Sequence, residues 1–362
     1  MSAARPPEGA RTEAGQGEGT PMTDSEDAQA THGGPGALGA APHDFSTNAN
    51  ACGPCPSALA AVRAADATRY PDPASTALRE RLAGFHGVAR ERIVVAASGS
   101  EFIARITAAV AQLRQRRGTV QVPVHAYGDY AHAAHAQGLS VGCGPPGQDG
   151  VLGWGCDPSS PLGETPRDLD ARLDALPSGA PFVLDRAYAP LRLAGDAALR
   201  PAQLDRAWQL WSPNKALGLT GVRGAYAIAP ADGADPALLR ALHRLAPSWP
   251  LGAHGVAMLQ AWTDGEAQAW LAGCLPVLRT WKAGQQALCR RLGWTPLDSD
   301  AGFFCVRLPD ADPGALLRRL RAAGVQLRDC ASFGLPGHAR LGVRPPADQA
   351  ALEAAATAAA AR

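Results

Sequence analysis

Trp211-Ser-Pro-Asn-Lys-Ala-Leu-Gly-Leu-Thr-Gly-Val-Arg-Gly-Ala-Tyr226 is the stretch on which the reading of this chain turns. It sets a hydroxyl (Ser212), an amide (Asn214) and an amine (Lys215) close together. Gly218, Gly221 and Gly224 follow at a regular spacing, with Arg223 among them. Lys215 and Lys282 are the only lysines in 362 residues; every other long cation is arginine. An amine kept in such a chain points to a need for an amine, because lysine can lose its proton on burial while arginine stays charged. A lysine among small and apolar neighbours can be partly desolvated, which would make it nucleophilic and able to form a Schiff base with an aldehyde. Ser212 and Arg223 are groups that would hold a phosphate monoester beside it. The plainer reading is a surface lysine next to a Gly-rich turn.

Outward from this stretch the chain alternates short apolar runs with helical periods. Ala207 to Trp211 and Tyr226 to Ala229 read as strands on either side of it. Upstream, Ile93–Ala97, Val120–Val124, Leu139–Cys143, Val151–Cys156 and Phe182–Leu184 read as strands, and Ser75–Phe85, Glu101–Gln115, Tyr127–Gln137 and Pro166–Leu176 as helices. The alternation predicts an α/β fold with a mostly parallel sheet, of about seven strands, covered by helices on both faces. Past Pro250 the pattern changes. A long helical stretch from His254 to Arg291, broken near Gly273–Pro276, precedes strands Phe303–Leu308, Val325–Arg328 and Ala339–Val343, helix Pro313–Ala323 and an Ala-rich helix from Ala347. This predicts a smaller α+β C-terminal domain. The expected division is a disordered tail over 1–42, a segment over 43–75 joining the small domain, a large domain over 76–252 and a small domain over 253–362. The tail has almost no large apolar group to offset chain entropy, and Met22 is an alternative start within it.

Composition bounds the partners. The net charge of +1 offers nothing to nucleic acid or to an acidic membrane. No run of about 18 apolar residues is present, and no apolar signal core opens the chain, so a cytoplasmic protein is expected. The eight cysteines are scattered and expected to be free thiols. Cys52-Gly-Pro-Cys55 has the sequence of a thioredoxin redox motif but follows a polar loop rather than a strand. His132 and His135 share a helical face without a paired carboxylate or cysteine, so no metal is expected.

In open α/β sheets the ligand lies at the carboxyl ends of the strands. The residues just past these strands are Ser98-Gly99-Ser100 at a helix start, His125-Ala-Tyr127, Asp185-Arg-Ala-Tyr188, and Ser212 with Lys215. An aldehyde-bearing aromatic cofactor with a phosphate would use all of them. Its phosphate needs the Gly99–Ser100 turn, Ser212 and Arg223. Its ring needs the flat face of Tyr127. Its ring nitrogen needs a carboxylate, Asp185, so that the ring acts as an electron sink. Its phenolic oxygen needs a donor, which Tyr188 supplies.

On these residues the chain resembles the fold-type-I pyridoxal-5′-phosphate (PLP) enzymes of the class I/II aminotransferase family. Within that family it is similar to the group of histidinol-phosphate aminotransferase and the threonine-phosphate decarboxylase of cobalamin synthesis. The resemblance runs from about Asp44 to the C-terminus. It is carried by Ser212 to Arg223, Asp185-Arg-Ala-Tyr188, Tyr70-Pro-Asp-Pro73, Arg328-Asp-Cys and Phe333-Gly-Leu with Arg340. It implies that Lys215 carries the cofactor and shuttles protons, with Asp185 on the ring nitrogen, Tyr188 on the phenolic oxygen and Tyr127 stacked on the ring. It implies that Gly99, Ser100, Ser212 and Arg223 bind the phosphate, and that Tyr70 reaches the phosphate of a neighbouring subunit in a homodimer. Asn48, Arg328 and Arg340 would contact the substrate. Tyr127 as an ordinary core aromatic, Arg328 as a surface residue and Arg340 as a structural cation are the plainer readings.

Departures from the family pattern are also legible. Ser160 stands where the family has the asparagine that bonds the phenolic oxygen. Asn214 replaces a serine before the lysine, which is expected to weaken the phosphate cup, and Arg186 replaces an acidic residue. The resemblance implies an aminotransferase acting on an amino acid or amino phosphate, with a 2-oxo acid as possible co-substrate. A threonine-phosphate decarboxylase is the second reading, and a non-catalytic PLP-binding protein the third.

Overall fold

A computed structural model describes residues 33–35, 39–144, 147–231, 234–309 and 312–360. Most of the tail expected over 1–42 lies outside the described residues. Gly34 is among those described. Its N–H donates to Ser46 Oγ (2.8 Å), and its carbonyl accepts from Gln326 Nε2 (2.7 Å).

Seven strands form the central sheet: β1 (Ile93–Ala96), β2 (Thr119–Gln121), β3 (Ser140–Gly142), β4 (Gly150–Cys156), β5 (Phe182–Asp185), β6 (Trp208–Trp211) and β7 (Ala225–Ile228). Their spatial order is β1-β7-β6-β5-β4-β2-β3. All pairings are parallel except those of β7, which runs antiparallel to both β1 and β6. The reason lies in the connection. Ser212 to Gly224 contains no crossover helix, and without one a strand returns beside its predecessor in the opposite sense. Helices Gly99–Leu113, Gly128–Ala136 and Leu169–Ala175 follow β1, β2 and β4. Phe102, Ile103, Ile106, Trp154 and Trp208 are buried between sheet and helices.

The long helical stretch breaks earlier than expected. Helix Ala253–Trp262 ends at Thr263, and Gly265–Arg291 then runs unbroken through Pro276. Proline lacks one N–H donor and crowds the carbonyl one turn back, yet the helical backbone continues on both sides of Pro276. Asp264 takes the N-cap position of the second helix.

A second, antiparallel sheet contains β8 (Thr295–Pro296), β9 (Phe303–Arg307), β10 (Arg328–Asp329) and β11 (His338–Gly342), in the order β10-β11-β9-β8. The single strand expected over Val325–Arg328 is divided. Val325–Gln326 pairs in parallel with His43–Asp44 instead, because the N-terminal segment takes up its backbone groups; Phe45 N–H also donates to the Gln326 carbonyl (2.8 Å). We propose the division near residue 252 on the ground that the seven-stranded and the four-stranded sheet each draw their strands from one side of it, while the His43–Asp44 pairing ties the N-terminal segment to the small domain. Among the described residues no helix is long and apolar enough to cross a membrane.

One part-buried polar contact is expected to make the fold acid-sensitive. His86 Nε2 lies 2.7 Å from Tyr226 Oη, which also accepts from Trp262 Nε1 (3.1 Å). Burial first, and then the Arg186 charge, lower the His86 pKa to about 4. The unfolded chain titrates near 6.5, so below that pH it binds a proton that the folded chain refuses. Stability is therefore full above pH 6.5 and is lost as pH falls toward 4, by roughly 2–3 kcal/mol. Denaturant unfolding at pH 7 and pH 4.5 should show this loss, and His86→Gln should remove most of it. An identical pH slope in the variant would sink the idea.

Candidate active site

The Lys215 loop is braced by the N-terminal segment. Asn50 N–H donates to the Lys215 carbonyl (2.9 Å), Asn50 Nδ2 to the Ala216 carbonyl (3.0 Å) and Cys55 N–H to the Leu217 carbonyl (2.8 Å). Gly218 has φ 66°, and a Cβ there would stand 2.4 Å from the Gly53 carbonyl oxygen, so only glycine lets the two segments meet. Cys52-Gly-Pro-Cys55 thus serves as a packing surface. The Cys52 thiol is pushed up to about 12, mainly by burial, the reverse of a redox-active thiol. Asn214 Nδ2 faces the Thr220 and Val222 carbonyls (3.5 and 3.3 Å), so its amide holds the lysine loop together.

Asp185 ends β5 with its carboxylate buried. Its Oδ1 accepts from Ala187 N–H (2.9 Å) and its Oδ2 from Tyr130 Oη (2.8 Å). Burial raises its pKa; the Lys215 charge and then these two donors oppose the rise. The Tyr130 ring stacks on Trp154, with centroids 4.4 Å apart and planes 8° apart. Tyr130 escaped the sequence reading, although it lies one helical turn after Tyr127, on the same face of a helix start. Tyr130→Phe removes a donor to a charged acceptor, a loss of about 1.5–3 kcal/mol. Turnover is expected to fall roughly 10- to 100-fold with Tm changed little. Full turnover in Tyr130→Phe would exclude a part for the hydroxyl in holding Asp185 charged.

Beside this carboxylate lies an anion cup. Ser98 Oγ caps helix Gly99–Leu113 by accepting from Glu101 N–H (3.0 Å). The first helical bond is Phe102 N–H to the Ser98 carbonyl, so the N–H groups of Gly99 and Ser100 precede the ladder and are available to an anion. A Cβ on Gly99 would stand 2.9 Å from Ser212 Oγ, which places the two residues on one wall of the cup. Ser100 Oγ is 3.3 Å from Tyr127 Oη. Burial raises the Tyr127 pKa, so the phenol stays protonated. Arg223 is exposed, and no hydrogen bond among the described residues draws it to Ser212.

Near Lys215 lie the residues expected to contact the substrate. Lys215 Nζ is 5.5 Å from the Tyr188 ring centroid. Asn48 Nδ2 reaches Tyr188 Oη at 3.5 Å, while Asn48 Oδ1 is buried without a partner among the described residues. Arg328 and Arg340 are paired in register on β10 and β11 and only 4 % and 6 % exposed, so Arg328 is not a surface residue. Arg340 donates to Ser160 Oγ (3.4 Å) and the Ser46 carbonyl (3.1 Å). Arg328 donates to Ser332 Oγ and the Asp329 carbonyl (2.7 and 2.6 Å). Both guanidiniums lie against the Phe333 ring, at 4.7 and 5.6 Å. Burial, followed by Arg340, lowers the Arg328 pKa. Ser160 therefore accepts from the arginine wall. Its loop is pinned by an Arg192–Asp157 ion pair and by Asp300, which accepts from Thr165 N–H (3.0 Å).

The model of the family "Aminotransferase class I and II" matches residues 154–358, more than half of the chain. The chain belongs to the class I and II aminotransferase family. It is 28% identical over 326 residues to the histidinol-phosphate aminotransferase of Symbiobacterium thermophilum, covering 83% of this chain and 85% of that one. Its fold is similar to that of the histidinol-phosphate aminotransferase from Sinorhizobium meliloti, solved in complex with pyridoxal-5′-phosphate. That match has a TM-score of 0.73 at 22% identity and covers 87% and 89% of the two chains. It is also similar in fold to the L-threonine-O-3-phosphate decarboxylase from Porphyromonas gingivalis, with a TM-score of 0.71 at 20% identity, covering 88% and 99%.

Within this family fold, an amine, a buried carboxylate and a helix-start anion cup at one sheet end fit an aldehyde-bearing phosphate cofactor. Tyr70 does not reach these groups within its own chain. It is 79% exposed and stacks on Trp249, with centroids 4.5 Å apart.

Proposed function

We propose that this chain is a PLP-dependent aminotransferase for an amine that carries an anionic group, of histidinol-phosphate aminotransferase type. The buried pair Arg328 and Arg340 carries this reading. The two guanidiniums are paired in register and lie against one Phe333 ring, and their forked donors suit carboxylate and phosphate. Gly99, Ser100 and Ser212, with Arg223 at the rim, would hold the cofactor phosphate. Tyr127 would cover the ring face, Asp185 would hold the proton on the ring nitrogen, and Tyr188 would donate to the phenolic oxygen. When bound, PLP supplies an electron sink for the pair released at the substrate α-carbon. Lys215 Nζ takes the proton from that carbon and returns it. Asn48 Oδ1, a buried acceptor without a partner among the described residues, would receive a substrate N–H or O–H. The exposed Tyr70–Trp249 stack supports a homodimer in which Tyr70 serves the neighbouring subunit's site.

The same arginine pair supports a second reading. An amine bearing both a carboxylate and a phosphate would occupy both guanidiniums, and breaking the α-carboxylate bond instead of the C–H bond gives a decarboxylase, as in the threonine-phosphate enzyme. The deciding assay offers histidinol phosphate, threonine phosphate and neutral amines, with and without a 2-oxo acid, and follows amino-group transfer and carbon dioxide together. Transfer that requires the 2-oxo acid supports the aminotransferase. Carbon dioxide release without an acceptor selects the second reading. Preference for neutral amines would overturn both.

A further inference from the structure

His125 has no part in the cofactor or substrate contacts above, yet it joins them. It stands two residues before Tyr127, in the loop that leaves β2. Its Nδ1 lies 2.8 Å from the Phe333 carbonyl oxygen. A carbonyl only accepts, so Nδ1 carries the hydrogen and donates. The imidazole fits closely against the turn; a Cβ on Gly334 would stand 3.6 Å from Nδ1.

The residues on the far side of that bond shape the arginine wall. The Phe333 ring lies under both guanidiniums, and neighbouring Ser332 accepts from Arg328. The other bonds of this turn stay within it or tie it to its own sheet: Phe333 N–H to Cys330 carbonyl (2.9 Å), Leu335 N–H to Cys330 carbonyl (3.1 Å) and Cys330 N–H to His338 carbonyl (3.0 Å). They set the shape of the turn, and the Phe333 cluster packs on Leu162 in the loop after β4, but none of these hydrogen bonds reaches the loop that carries Tyr127. The His125 bond spans 208 residues of sequence and ties the turn to the loop that carries Tyr127.

We propose that His125 is a positioning residue for the substrate anion: by holding the Phe333 carbonyl it keeps the ring and Ser332 in place under Arg328 and Arg340. This rests on the reading of that pair as the anion site. Without the donor the turn keeps its packing on Leu162 but loses its hydrogen bond to the Tyr127 loop, and the platform under the guanidiniums loosens. Anion affinity then falls, while Lys215 and Asp185, held by other elements, keep their arrangement.

The test uses the PLP-saturated enzyme, so that the cofactor cup is filled, with inorganic phosphate as the probe. Calorimetric titration of His125→Ala should give a phosphate Kd roughly 5- to 10-fold weaker than the unsubstituted enzyme, the size of one lost hydrogen bond. KM for the phosphorylated amine should rise in parallel, with kcat changed less than about threefold. His125→Asn places an amide N–H where Nδ1–H stood and should restore Kd to within about twofold. A His125→Ala enzyme that binds phosphate as tightly as the parent overturns the proposal, whatever its Tm. So does a His125→Asn enzyme as weak as His125→Ala, because the donor would then not be what matters. If the unsubstituted enzyme neither binds phosphate nor turns over any phosphorylated amine, the anion-site reading itself has failed, and the proposal with it.

Discussion

Lys215→Ala is expected to lower turnover by at least about 10⁴-fold. General acid–base transfer by a placed side chain contributes on the order of 10²–10⁴, and loss of the covalent route adds to this. Tm should change little, because the contacts that brace the loop use the Lys215 carbonyl and its neighbours' backbone, not Nζ. Lys282 cannot substitute. It is the only other lysine, and its Nζ is buried against the Ser299 and Ala301 carbonyls, the latter at 2.8 Å. Its pKa is lowered to about 8, mainly by burial; it is an equally unusual amine that the fold spends on anchoring a turn. Borohydride reduction followed by mass spectrometry checks the assignment directly. The parent chain should gain one cofactor mass at Lys215 and the variant none. Labelling at Lys282, or retained turnover in Lys215→Ala, would refute the role.

Asp185→Asn should cost on the order of 10²–10³ in turnover, the range seen when one preorganised electrostatic group is removed. The substitution keeps the shape and removes the charge that would hold a proton on the ring nitrogen. It also disturbs the local donors. Ala187 N–H and Tyr130 Oη–H both point at the carboxylate, and an amide can accept at only one of its two ends. Tyr130 can rotate its hydroxyl; the backbone N–H cannot move as easily, so the amide oxygen is expected to settle toward Ala187. Double substitution with Tyr130→Phe should then lose little more than Asp185→Asn alone, because the hydroxyl acts through the charge. Steady-state kinetics on the two single variants and the double variant measures this coupling. Additive losses would show that Tyr130 works independently of Asp185.

Much of this architecture was readable before any coordinate. The parallel sheet follows from short apolar strands alternating with helices, and the Lys215 stretch, Asp185 and Tyr188 stood out as polar groups at strand ends. Other features depend on competition between distant segments and leave no local mark. Val325–Arg328 reads as one strand, but His43–Asp44 takes half of it. Pro276 reads as a break, but the helix around it holds. Tyr130 drew no reading from the sequence, and only its 2.8 Å approach to Asp185 makes it a candidate for function.

Residue chemistry and spacing by themselves singled out Lys215 and Asp185 as candidates, because an amine among arginines and a carboxylate at the end of an apolar strand are local facts. Tertiary structure alone decided what surrounds them. It turned Asn214 away from the cup to hold the Lys215 loop, made Cys52-Gly-Pro-Cys55 a surface against Gly218, and set Ser160 on Arg340. It also brought Arg328 and Arg340 side by side over Phe333, with His125 beneath. These are contacts between segments up to some 300 residues apart, and no local pattern encodes which long-range partner a polar group will find once the chain has closed around it.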